Sequence, residues 1–487
     1  MKALALTLLT SMAALAQPTV TVSPAAGPPT SQAAVGGRGF AAEEAVDIYF
    51  DTTDLALATT SATGRFAGIG LVIPAAAVPG THWISAVGRR SGLAAQTPFL
   101  VRTDWAEFRR GRQRLGYDPT ENILGAANVA GMQLRWLGAN GGGGGGAYSN
   151  SAVIAGGMVY ASAFDGELRA FDADTGRPVW STEPGLKTST TPTVADGVIY
   201  VGVAASDAML YAFNAATGKQ LWTADLGVDQ FAGMLSSPVV ADGVVYVGSP
   251  ADSIYALRAS TGGVIWQAPI FGEVYAAPAL ANGVVYVCAG GIGSQVYAFN
   301  AATGEQLWIA DTGYEIYAAP AVANGVVYVA STDYNLYAFN AETGQPIWKQ
   351  NLGDVIYASP AVANGVVYVN SNKLYAFDAI TGQAVWTQAA VDGDSSPAVA
   401  NGVVYVKSAD DNIYALDAAT GLQLWSAAID SASEADSSPA VANGIVYIPA
   451  ADSYLYAFSL PVEKTAQPPA RPNPATLMPD VTLVAFP

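Results

Sequence analysis

The chain has 487 residues, a formal net charge of −18, 51% hydrophobic residues and only 12% charged residues. Nucleic acids and anionic lipid surfaces repel so acidic a chain, and we expect neither as a partner. One cysteine, Cys288, excludes an internal disulfide, and one histidine, His82, leaves too few ligands for a His/Cys zinc site.

The first sixteen residues, MKALALTLLTSMAALA, have the features of a signal peptide. A lysine precedes an apolar run, and Ala14-Leu15-Ala16 offers the small-x-small pattern that a signal peptidase accepts. The run is too short to span a membrane stably, and no later segment is an uninterrupted apolar span. We therefore expect a mature chain that begins near Gln17 and is secreted, periplasmic or associated with the cell envelope. No cysteine follows the cleavage point, so we expect no lipid anchor.

Residues 17–102 predict a small β-sandwich. Strand-like segments are separated by Gly/Pro turns about every ten residues. These segments are PTVTVSP, AVDIYFD, GRFAGIGLVIP, GTHWISAVG and TPFLVR. Their rhythm resembles that of the immunoglobulin-like modules of bacterial secreted proteins, which implies an immunoglobulin-like fold.

Residues 103–128 form a connector that combines Trp105 and Phe108 with four arginines. The arginines are Arg109, Arg110, Arg112 and Arg114. A basic, aromatic segment is open to two interpretations, a nucleic-acid-binding arm or a strap that packs on the domain beside it. The chain has 11 basic and 9 acidic residues up to Trp136, but 10 basic and 30 acidic residues after it. The acidity of the following region favours the strap.

Residues 129–461 contain one pattern that recurs about every forty residues. In each copy a tryptophan stands four residues after the glycine of a Thr-Gly pair. These tryptophans are Trp180, Trp222, Trp266, Trp308, Trp348, Trp386 and Trp425. Each copy also has a proline eight residues before a tyrosine, as in Pro320 and Tyr328, and an eighth version, Ala152/Tyr160, lacks only the proline.

Each copy predicts four short antiparallel strands. Asn-Gly, Asp-Gly or Gly-Gly joins the first two strands in a tight hairpin, and Thr-Gly joins the last two. Four strands at this period are typical of a β-propeller blade. The fold class is therefore all-β, with a propeller over residues 129–461 and a Pro-rich flexible tail over 462–487.

The two ends of the repeat region complement each other. The last copy stops after YLYAF without a fourth strand, and VAGMQLRW (Val129–Trp136) offers one. Because an open ring would expose strand edges, we predict an eight-bladed ring closed by this N-terminal strand. Trp136 follows Gly131 by five residues rather than four, which predicts a β-bulge or a shifted register there.

The motif Ala-x-Thr-Gly-x-x-x-Trp, as in DAATGLQLW (Asp417–Trp425), resembles the repeat of quinoprotein-type, pyrroloquinoline-quinone-like (PQQ-like) propellers. The resemblance covers about 330 residues and implies that each tryptophan docks its ring on the peptide of a neighbouring blade. An indole can bury its ring and still donate its N–H to a carbonyl. Seven equivalent tryptophans also fit a structural role, because one active site needs only one or two special residues.

A resemblance to the enzymatic members of that family would imply a calcium ion held by Glu, Asn and Asp, and a disulfide between adjacent cysteines. This chain cannot form the disulfide, and no matching Glu/Asn/Asp set can be placed on it. We therefore assign no catalytic, cofactor-binding or metal-binding residue, and the chain resembles the non-catalytic members more closely. PQQ with calcium stays open as the alternative. We interpret His82 as an ordinary half-buried histidine and Cys288 as a small buried hydrophobic residue.

A ring of variable positions is the candidate ligand-binding mouth. They lie three and five residues before the proline of each Ser-Pro or Ala-Pro pair, where one blade crosses to the next. The candidates are Tyr275, Tyr317, Tyr357, Glu273, Glu315, Asp392, Asp394, Glu434 and Asp436. They differ between blades while the scaffold does not, as expected of a site grafted on a repeat. Alternatively, the tyrosines pack the loops and the acids keep the protein soluble.

Three functions are open. The first is a non-catalytic binding or assembly platform, analogous to the outer-membrane assembly propeller of this repeat class. The second is a divergent PQQ/calcium-dependent oxidoreductase, and the third is a cell-surface carbohydrate-binding protein. We favour the first, as a monomer whose propeller face binds a protein, a small ligand or a glycan.

Overall fold

The computed structural model divides the chain into two compact units, Met1–Thr103 with Ala466–Pro487, and Asp104–Thr465. It describes residues 17–141, 151–162, 165–183, 190–203, 207–228, 236–249, 251–291, 294–429, 437–450, 452–461 and 470–477. The predicted signal peptide and most of the predicted tail lie outside these ranges. In the described ranges, no helix is long and apolar enough to cross a membrane.

The described part of the first unit has eight strands in two sheets. The strands are β1 (Thr19–Ser23), β2 (Ala26–Gly27), β3 (Gln32–Arg38), β4 (Ala45–Phe50), β5 (Thr53–Thr59), β6 (Arg65–Val72), β7 (Gly80–Gly88) and β8 (Ala94–Val101). One sheet has the order β1-β3-β6 and the other has the order β2-β8-β7-β4-β5. Val35, Phe66, Ile48 and Phe99 from the two sheets belong to one buried hydrophobic cluster. The unit is therefore built of two sheets that share a core.

A short part of the predicted tail packs on this first unit. Residues 470–477 include a 3₁₀ turn, Pro474–Thr476. Arg471 donates from Nε to Gln96 Oε1 at 2.7 Å, and its guanidinium lies 4.4 Å from the centre of the Trp83 ring. Leu477 is buried against Tyr49 and Val87. This stretch of the tail thus has fixed contacts.

His82 is buried, only 2% exposed, and both of its ring nitrogens have partners. Nδ1 lies 2.7 Å from Asp51 Oδ2, and Nε2 lies 2.7 Å from the Val78 carbonyl oxygen. A carbonyl and a carboxylate only accept hydrogen bonds, so the two bonds together require an imidazolium. Burial lowers the pKa of His82, but the bonds to Asp51 and Val78 outweigh it and raise the pKa above its ordinary value. His82 is an internal ion-pair residue.

In its described residues the second unit contains eight sheets, each with four antiparallel strands and one of them with an additional short strand, consistent with an eight-bladed PQQ-type propeller. Blade 1 consists of β11 (Val153–Ala155), β12 (Met158–Ser162), β13 (Leu168–Asp172) and β14 (Pro178–Thr182), and blade 2 of β15 (Thr193–Ala195), β16 (Val198–Val203), β17 (Asp207–Asn214) and β18 (Gln220–Val228). Blade 3 consists of β19 (Val239–Ala241), β20 (Val244–Ser249), β21 (Ser253–Arg258) and β22 (Val264–Pro269), and blade 4 of β23 (Ala279–Ala281), β24 (Val284–Ala289), β25 (Gln295–Asn300) and β26 (Gln306–Asp311).

Blades 5 to 7 follow the same plan. Blade 5 consists of β27 (Ala321–Ala323), β28 (Val326–Ala330), β29 (Asn335–Asn340) and β30 (Pro346–Asn351). Blade 6 consists of β31 (Ala361–Ala363), β32 (Val366–Asn370), β33 (Leu374–Asp378) and β34 (Ala384–Gln388), and blade 7 of β35 (Ala398–Ala400), β36 (Val403–Lys407), β37 (Asn412–Asp417) and β38 (Gln423–Ala428). A two-residue strand of the connector, β9 (Tyr117–Asp118), pairs in parallel with β35.

Blade 8 is built from both ends of the unit. It consists of β39 (Ala440–Ala442), β40 (Ile445–Pro449), β41 (Tyr454–Ser459) and β10 (Gln133–Ala139), and a 3₁₀ turn, Val129–Gly131, precedes β10. β10 pairs with β41, and β39 neighbours β11 of the first blade. The prediction that an N-terminal strand completes the last blade is confirmed.

The local sequence explains each blade. In blade 5, Asn324 and Gly325 have φ values of 49° and 78°, the conformation that a tight hairpin between β27 and β28 requires. β28 and β29 are buried almost throughout because each blade packs between two others, whereas the outer β30 is exposed or half-buried. A bulge precedes Trp348, and the bulge predicted near Trp136 occupies the equivalent place in β10.

Tryptophan and tyrosine side chains of one blade converge on one carbonyl of the next. The indole N–H of Trp308 and the hydroxyl of Tyr286 both donate to the Ala341 oxygen, at 3.0 and 3.1 Å. The described residues contain seven such alanine carbonyls, each with a tryptophan and a tyrosine donor. They belong to Ala173, Ala215, Ala259, Ala301, Ala341, Ala379 and Ala418. We call each of them a shared alanine carbonyl.

The glycine of each Thr-Gly pair makes room for the indole ring of the preceding blade. A Cβ on Gly344 would lie 2.7 Å from the nearest ring carbon of Trp308, and the φ of Gly344 is +70°. Gly218, in the corresponding turn three blades earlier, has the same relation to Trp180, at 2.6 Å. The Thr-Gly turn therefore reverses the chain and also forms the surface on which the indole ring of the preceding blade packs, which we call the tryptophan seat.

The interface between blades 7 and 8 departs from this pattern. Trp425 donates its indole N–H to the Met132 oxygen at 3.0 Å and packs edge-on against Phe458. The hydroxyl of Tyr405 is buried and has no hydrogen-bond partner among the described residues. The cause is the split blade, because the 3₁₀ turn before β10 replaces the usual Ala-x-Thr-Gly turn.

The tryptophan seat predicts a difference between two glycine substitutions. Gly344→Ala places a methyl group both at positive φ, which costs about 1–2 kcal/mol, and against Trp308, which adds about 1–3 kcal/mol. Gly365→Ala is the matched control, because its φ is +80° but no atom lies within 4 Å of its Cβ position. We expect urea unfolding to show a larger loss for Gly344→Ala. Equal losses would contradict the seat.

The single histidine allows a direct test of the buried ion pair. In NMR of the full chain with labelled histidine, we expect His82 to titrate above its ordinary pKa of about 6.5. A raised pKa in the folded state contributes stability that is fully present below the unfolded-state pKa and disappears as pH rises through the folded-state pKa. Asp51→Asn should lower the midpoint. A wild-type midpoint at or below that of the urea-unfolded chain would contradict the assignment.

Candidate functional site

Three of the predicted mouth residues form a continuous aromatic stack. Tyr275 and Tyr317 are nearly parallel, with ring centres 5.5 Å apart, and Tyr317 and Tyr357 are tilted, with ring centres 5.6 Å apart. They come from the crossovers that lead into blades 4, 5 and 6. Tyr317 is 37% exposed and Tyr357 is 42% exposed. Tyr275 is half-buried, so equivalent positions on three consecutive blades form one partly exposed surface.

The predicted acidic residues lie beside this stack only in part. Glu315 is half-buried and accepts a hydrogen bond from the Tyr317 hydroxyl at 2.7 Å. Asp392 accepts one from Ser408 on its own blade, and Glu273 and Asp394 are half-buried. Glu434 and Asp436 lie outside the described residues. Glu315 is thus joined to the tyrosine stack by a hydrogen bond.

Three further aromatic residues near these crossovers were not predicted from the sequence. Phe271, Tyr314 and Tyr334 are 67%, 61% and 46% exposed. Phe271 and Tyr314 stand four and three residues before Tyr275 and Tyr317, and Tyr334 lies in the loop between β28 and β29. Large aromatic residues directly beside Gly or Asp, as in DTGYEIY and STDYNLY, were the available signal. Together with Tyr275, Tyr317 and Tyr357 they form what we call the aromatic mouth.

The crossovers are held by the loop between the second and third strands of the same blade. Thr332, in that loop of blade 5, donates its backbone N–H to the backbone carbonyl oxygen of Glu315 at 3.0 Å. Ser331 donates from Oγ to the backbone carbonyl oxygen of Tyr314 at 2.9 Å. The same support recurs in neighbouring blades through Gly290 to Glu273, Ser371 to Val355 and Ala409 to Asp392. The aromatic side chains therefore project from a braced backbone.

A ring of hydroxyl groups lies one step deeper, at the residue before each proline. Ser359 accepts the N–H of Ala319 at 2.9 Å, and Ser396 accepts the N–H of Ser359 at 2.8 Å. Among the described residues, six of the eight equivalent positions carry such an accepting hydroxyl. They are Ser151, Thr191, Ser237, Ser359, Ser396 and Ser438. Ala277 and Ala319 interrupt this hydroxyl ring beneath the aromatic mouth.

The connector lines the inner strands of the ring. Its backbone oxygens accept N–H groups from the second residue of the first strand in several blades, at 2.7 to 2.9 Å. These bonds run from Ile154 to Trp105, Val194 to Ala106, Leu280 to Arg112, Val322 to Gln113, Val362 to Leu115 and Val399 to Gly116. Glu121 accepts the N–H of Gly444 in blade 8. The connector therefore joins blades from all parts of the ring.

Two connector arginines are buried in the interior of the propeller. Arg114, 0% exposed, donates to the Pro278 and Pro238 oxygens at 2.9 and 2.8 Å. Arg109, 2% exposed, donates from Nη1 to the Pro397 oxygen. Each of these prolines directly follows a position of the hydroxyl ring. The guanidinium groups thus lie in the layer next to that ring.

Burial changes the pKa of both arginines. Burial, together with the smaller effect of the neighbouring positive charge of Arg114, lowers the pKa of Arg109 to about 9. Burial also lowers the pKa of Arg114 to about 10, while the carboxylate of Glu107, 3.6 Å away, acts in the opposite direction. Both groups keep their charge at neutral pH.

The strap interpretation of the connector holds, but the reason given for it was wrong. Arg109 and Arg114 donate mainly to backbone carbonyls, and Arg110 pairs with Asp118 of the connector itself at 2.9 Å. Only Arg112 approaches an acid of the repeats, Asp242 at 3.6 Å, among the ion pairs of the described residues. Geometry rather than overall charge complementarity fixes the strap.

A pocket of about 520 Å3 lies at the other end of the first strands, beside the connector. Arg110, Arg112, Tyr117, Asp242 and Asn282 are among the residues that line it.

Elsewhere, Cys288 is fully buried, and burial raises its pKa. Within the described residues, no group of three or more His, Cys, Asp or Glu side chains could hold a metal ion, and we derive no step through calcium or a quinone.

Comparison with known proteins identifies the repeat region. The family model described as outer membrane protein assembly factor BamB matches residues 117–239, 206–316, 292–392 and 370–461. The chain belongs to this family. The PQQ-like repeat of the BamB family thus accounts for the whole propeller, including the part of the connector that begins at Tyr117.

Solved structures show the same fold at low identity. BamB from Moraxella catarrhalis is 18% identical, with a TM-score of 0.57 over 67% of this chain and 99% of that chain. Quinohemoprotein alcohol dehydrogenase from Comamonas testosteroni is 17% identical, with a TM-score of 0.63 over 75% of this chain and 82% of that chain. The BamB-family fold is therefore shared with proteins of different activities.

One curated relative matches a short segment. Polyvinylalcohol dehydrogenase from Sphingopyxis sp. (strain 113P3) is 29% identical over 89 residues, which cover 15% of this chain and 13% of that protein. The match spans far less than two thirds of that protein.

The interrupted hydroxyl ring predicts stabilising substitutions. Ala277→Ser and Ala319→Ser each place a hydroxyl where an equivalent blade position uses one to accept an N–H, of Ser237 and of Ala277 respectively. We expect each to raise the free energy of unfolding by about 0.5–1.5 kcal/mol. Ser359→Ala, which removes such an acceptor, should lower it by about 1–3 kcal/mol. Urea unfolding measures all three, and destabilisation by both serine substitutions would contradict the role of the ring.

Proposed function

We propose that this chain is an exported, non-catalytic binding platform and that its docking surface is the aromatic mouth. The observation that carries the proposal is the exposed stack of Tyr275, Tyr317 and Tyr357. Tyrosine is enriched at protein interfaces because its ring offers a large contact area and its hydroxyl a polar handle. The fold shared with the BamB family supports a protein as the partner.

The surroundings of the stack also suit docking. Glu315 fixes the hydroxyl of Tyr317, and the braced crossovers hold the rings in place before binding. A preorganised surface loses less conformational entropy on association. Phe271 and Tyr314, on the same crossovers as Tyr275 and Tyr317, are both more than half exposed and available for contact. The surface therefore has aromatic anchors, a fixed acid and a rigid support.

Two further parts of the proposal concern the rest of the chain. The two sheets with a common core in the first unit support an immunoglobulin-like module there. The composition of residues 1–16 supports export to the periplasm, the cell envelope or the medium. Both parts are independent of the aromatic mouth.

Site-specific photo-crosslinking in cells that produce the protein tests the docking surface. A photoreactive residue in place of Tyr314 should give a covalent adduct with a discrete polypeptide, because Tyr314 is at the rim of the stack. The same residue in place of Ile380, which is 79% exposed on a Thr-Gly turn of blade 6, is the control. Tyr317→Ala with Tyr357→Ala should weaken the adduct at least about tenfold, as expected when hot-spot residues are lost.

The alternatives give different results. A glycan array signal that Tyr317→Ala abolishes, without any polypeptide adduct, would favour the carbohydrate-binding function, since exposed tyrosine rings also stack on sugars. Dye reduction after addition of pyrroloquinoline quinone and calcium would favour an oxidoreductase. Equal adducts from positions 314 and 380 would refute the docking surface.

A further inference from the structure

We propose that the interior of the propeller binds a small monovalent anion of the chloride class, held by Arg109. The proposal rests on three features of the described residues: unused donors on a buried guanidinium, an unbalanced buried charge, and hydroxyl groups in the adjacent layer. It is independent of the aromatic mouth and of its partner.

The guanidinium of Arg109 has donors without acceptors. Arg109 is 2% exposed, and its Nη1 donates to the Pro397 oxygen. Its Nε and Nη2 are buried and have no hydrogen-bond partner among the described residues. Arg114, by contrast, uses Nε, Nη1 and Nη2 on the Pro278, Phe108 and Pro238 oxygens. A buried donor left without an acceptor costs about 1–3 kcal/mol, and more when the group is charged.

The buried charges near Arg109 do not balance. Arg114 shares its charge with Glu107, whose Oε2 lies 3.6 Å from Nη1. No carboxylate of the described residues forms an ion pair with Arg109, and the charged group that acts on it is Arg114, which is also positive. A water molecule could accept hydrogen bonds there but could not neutralise the charge. One excess positive charge calls for one negative charge, which favours a monovalent anion.

The neighbouring layer offers donors rather than acceptors. Ser396 directly precedes Pro397, and Ser438 follows it in the hydroxyl ring. The oxygen of each accepts a backbone N–H from the preceding blade, at 2.8 and 3.0 Å, and no hydrogen bond within the described residues uses the hydrogen of either hydroxyl. Guanidinium N–H groups and hydroxyl hydrogens together form a set of donors that an anion can accept. The connector and inner strands surround this place, which favours a small ion.

Thermal unfolding of the full chain at constant ionic strength tests the proposal. Chloride replaces the bulky anion gluconate, and tryptophan fluorescence reports the propeller, because nine of the ten tryptophans lie between residues 105 and 425. Between about 5 mM and about 500 mM chloride we expect Tm to rise by about 2–4 °C, since a ligand that binds only the folded state stabilises it. Arg109→Met should remove this dependence. Arg112→Met, at a side chain 49% exposed, should keep it.

A second measurement does not depend on a folded variant. Crystals of the wild-type protein grown or soaked in bromide should show an anomalous scattering peak within about 3.5 Å of the Arg109 guanidinium, the distance expected for an N–H donor and a halide. A wild-type Tm that is the same in chloride and gluconate, an undiminished chloride dependence in Arg109→Met, or the absence of a bromide peak at Arg109 would each overturn the proposal.

Discussion

The shared alanine carbonyl is the interaction on which the propeller depends. Each of these oxygens accepts an indole N–H and a phenolic O–H from the blade before it, so one acceptor joins two side chains of one sheet to the backbone of the next. The partners are largely buried, as Trp308 and Tyr286 are, and a buried polar group that lost its partner would be costly. Because the bond recurs at seven of the eight blade interfaces among the described residues, it fixes the angle between the two blades at each of these seven.

Because the ring is closed, the regular spacing of the blades also determines how the crossovers at the surface are arranged. The crossover between blades is a short segment whose ends are both fixed, one by the fourth strand and the other by the first strand of the next blade. Hydrogen bonds such as that from Thr332 to Glu315 then leave the crossover little freedom. A tyrosine placed on three successive crossovers must therefore stack, and Tyr275, Tyr317 and Tyr357 do so.

Periodic features could be predicted from the sequence because each copy repeats the same evidence in its own residues. Thr-Gly-x-x-x-Trp and Asn-Gly located the turns, and the missing fourth strand after Tyr454–Ser459 located β10. That Tyr275, Tyr317 and Tyr357 are neighbours also followed from the repeat, because equivalent positions of successive blades lie side by side in a ring.

The features that occur once could not be predicted in this way. The path of the connector depends on tertiary contacts of single residues, and a charge count suggested ion pairs where Arg109 and Arg114 in fact donate to proline carbonyls. Phe271, Tyr314 and Tyr334 lie in loops whose conformation no repeat dictates. His82 was expected to be an ordinary histidine, and only the fold brings Asp51 and Val78 to its two nitrogens.

The split blade has a consequence for biosynthesis. Glu121 bonds to Gly444 across a sequence separation of 323 residues, and β10 pairs with β41 across a similar distance. A ribosome therefore releases Glu121 and β10 long before Gly444 and β41, their partners, have been synthesised. Contacts of such separation form slowly, because the intervening loop must first be closed. During that interval β10 of the nascent chain has no strand to pair with. Unpaired strand edges of this kind associate with other chains.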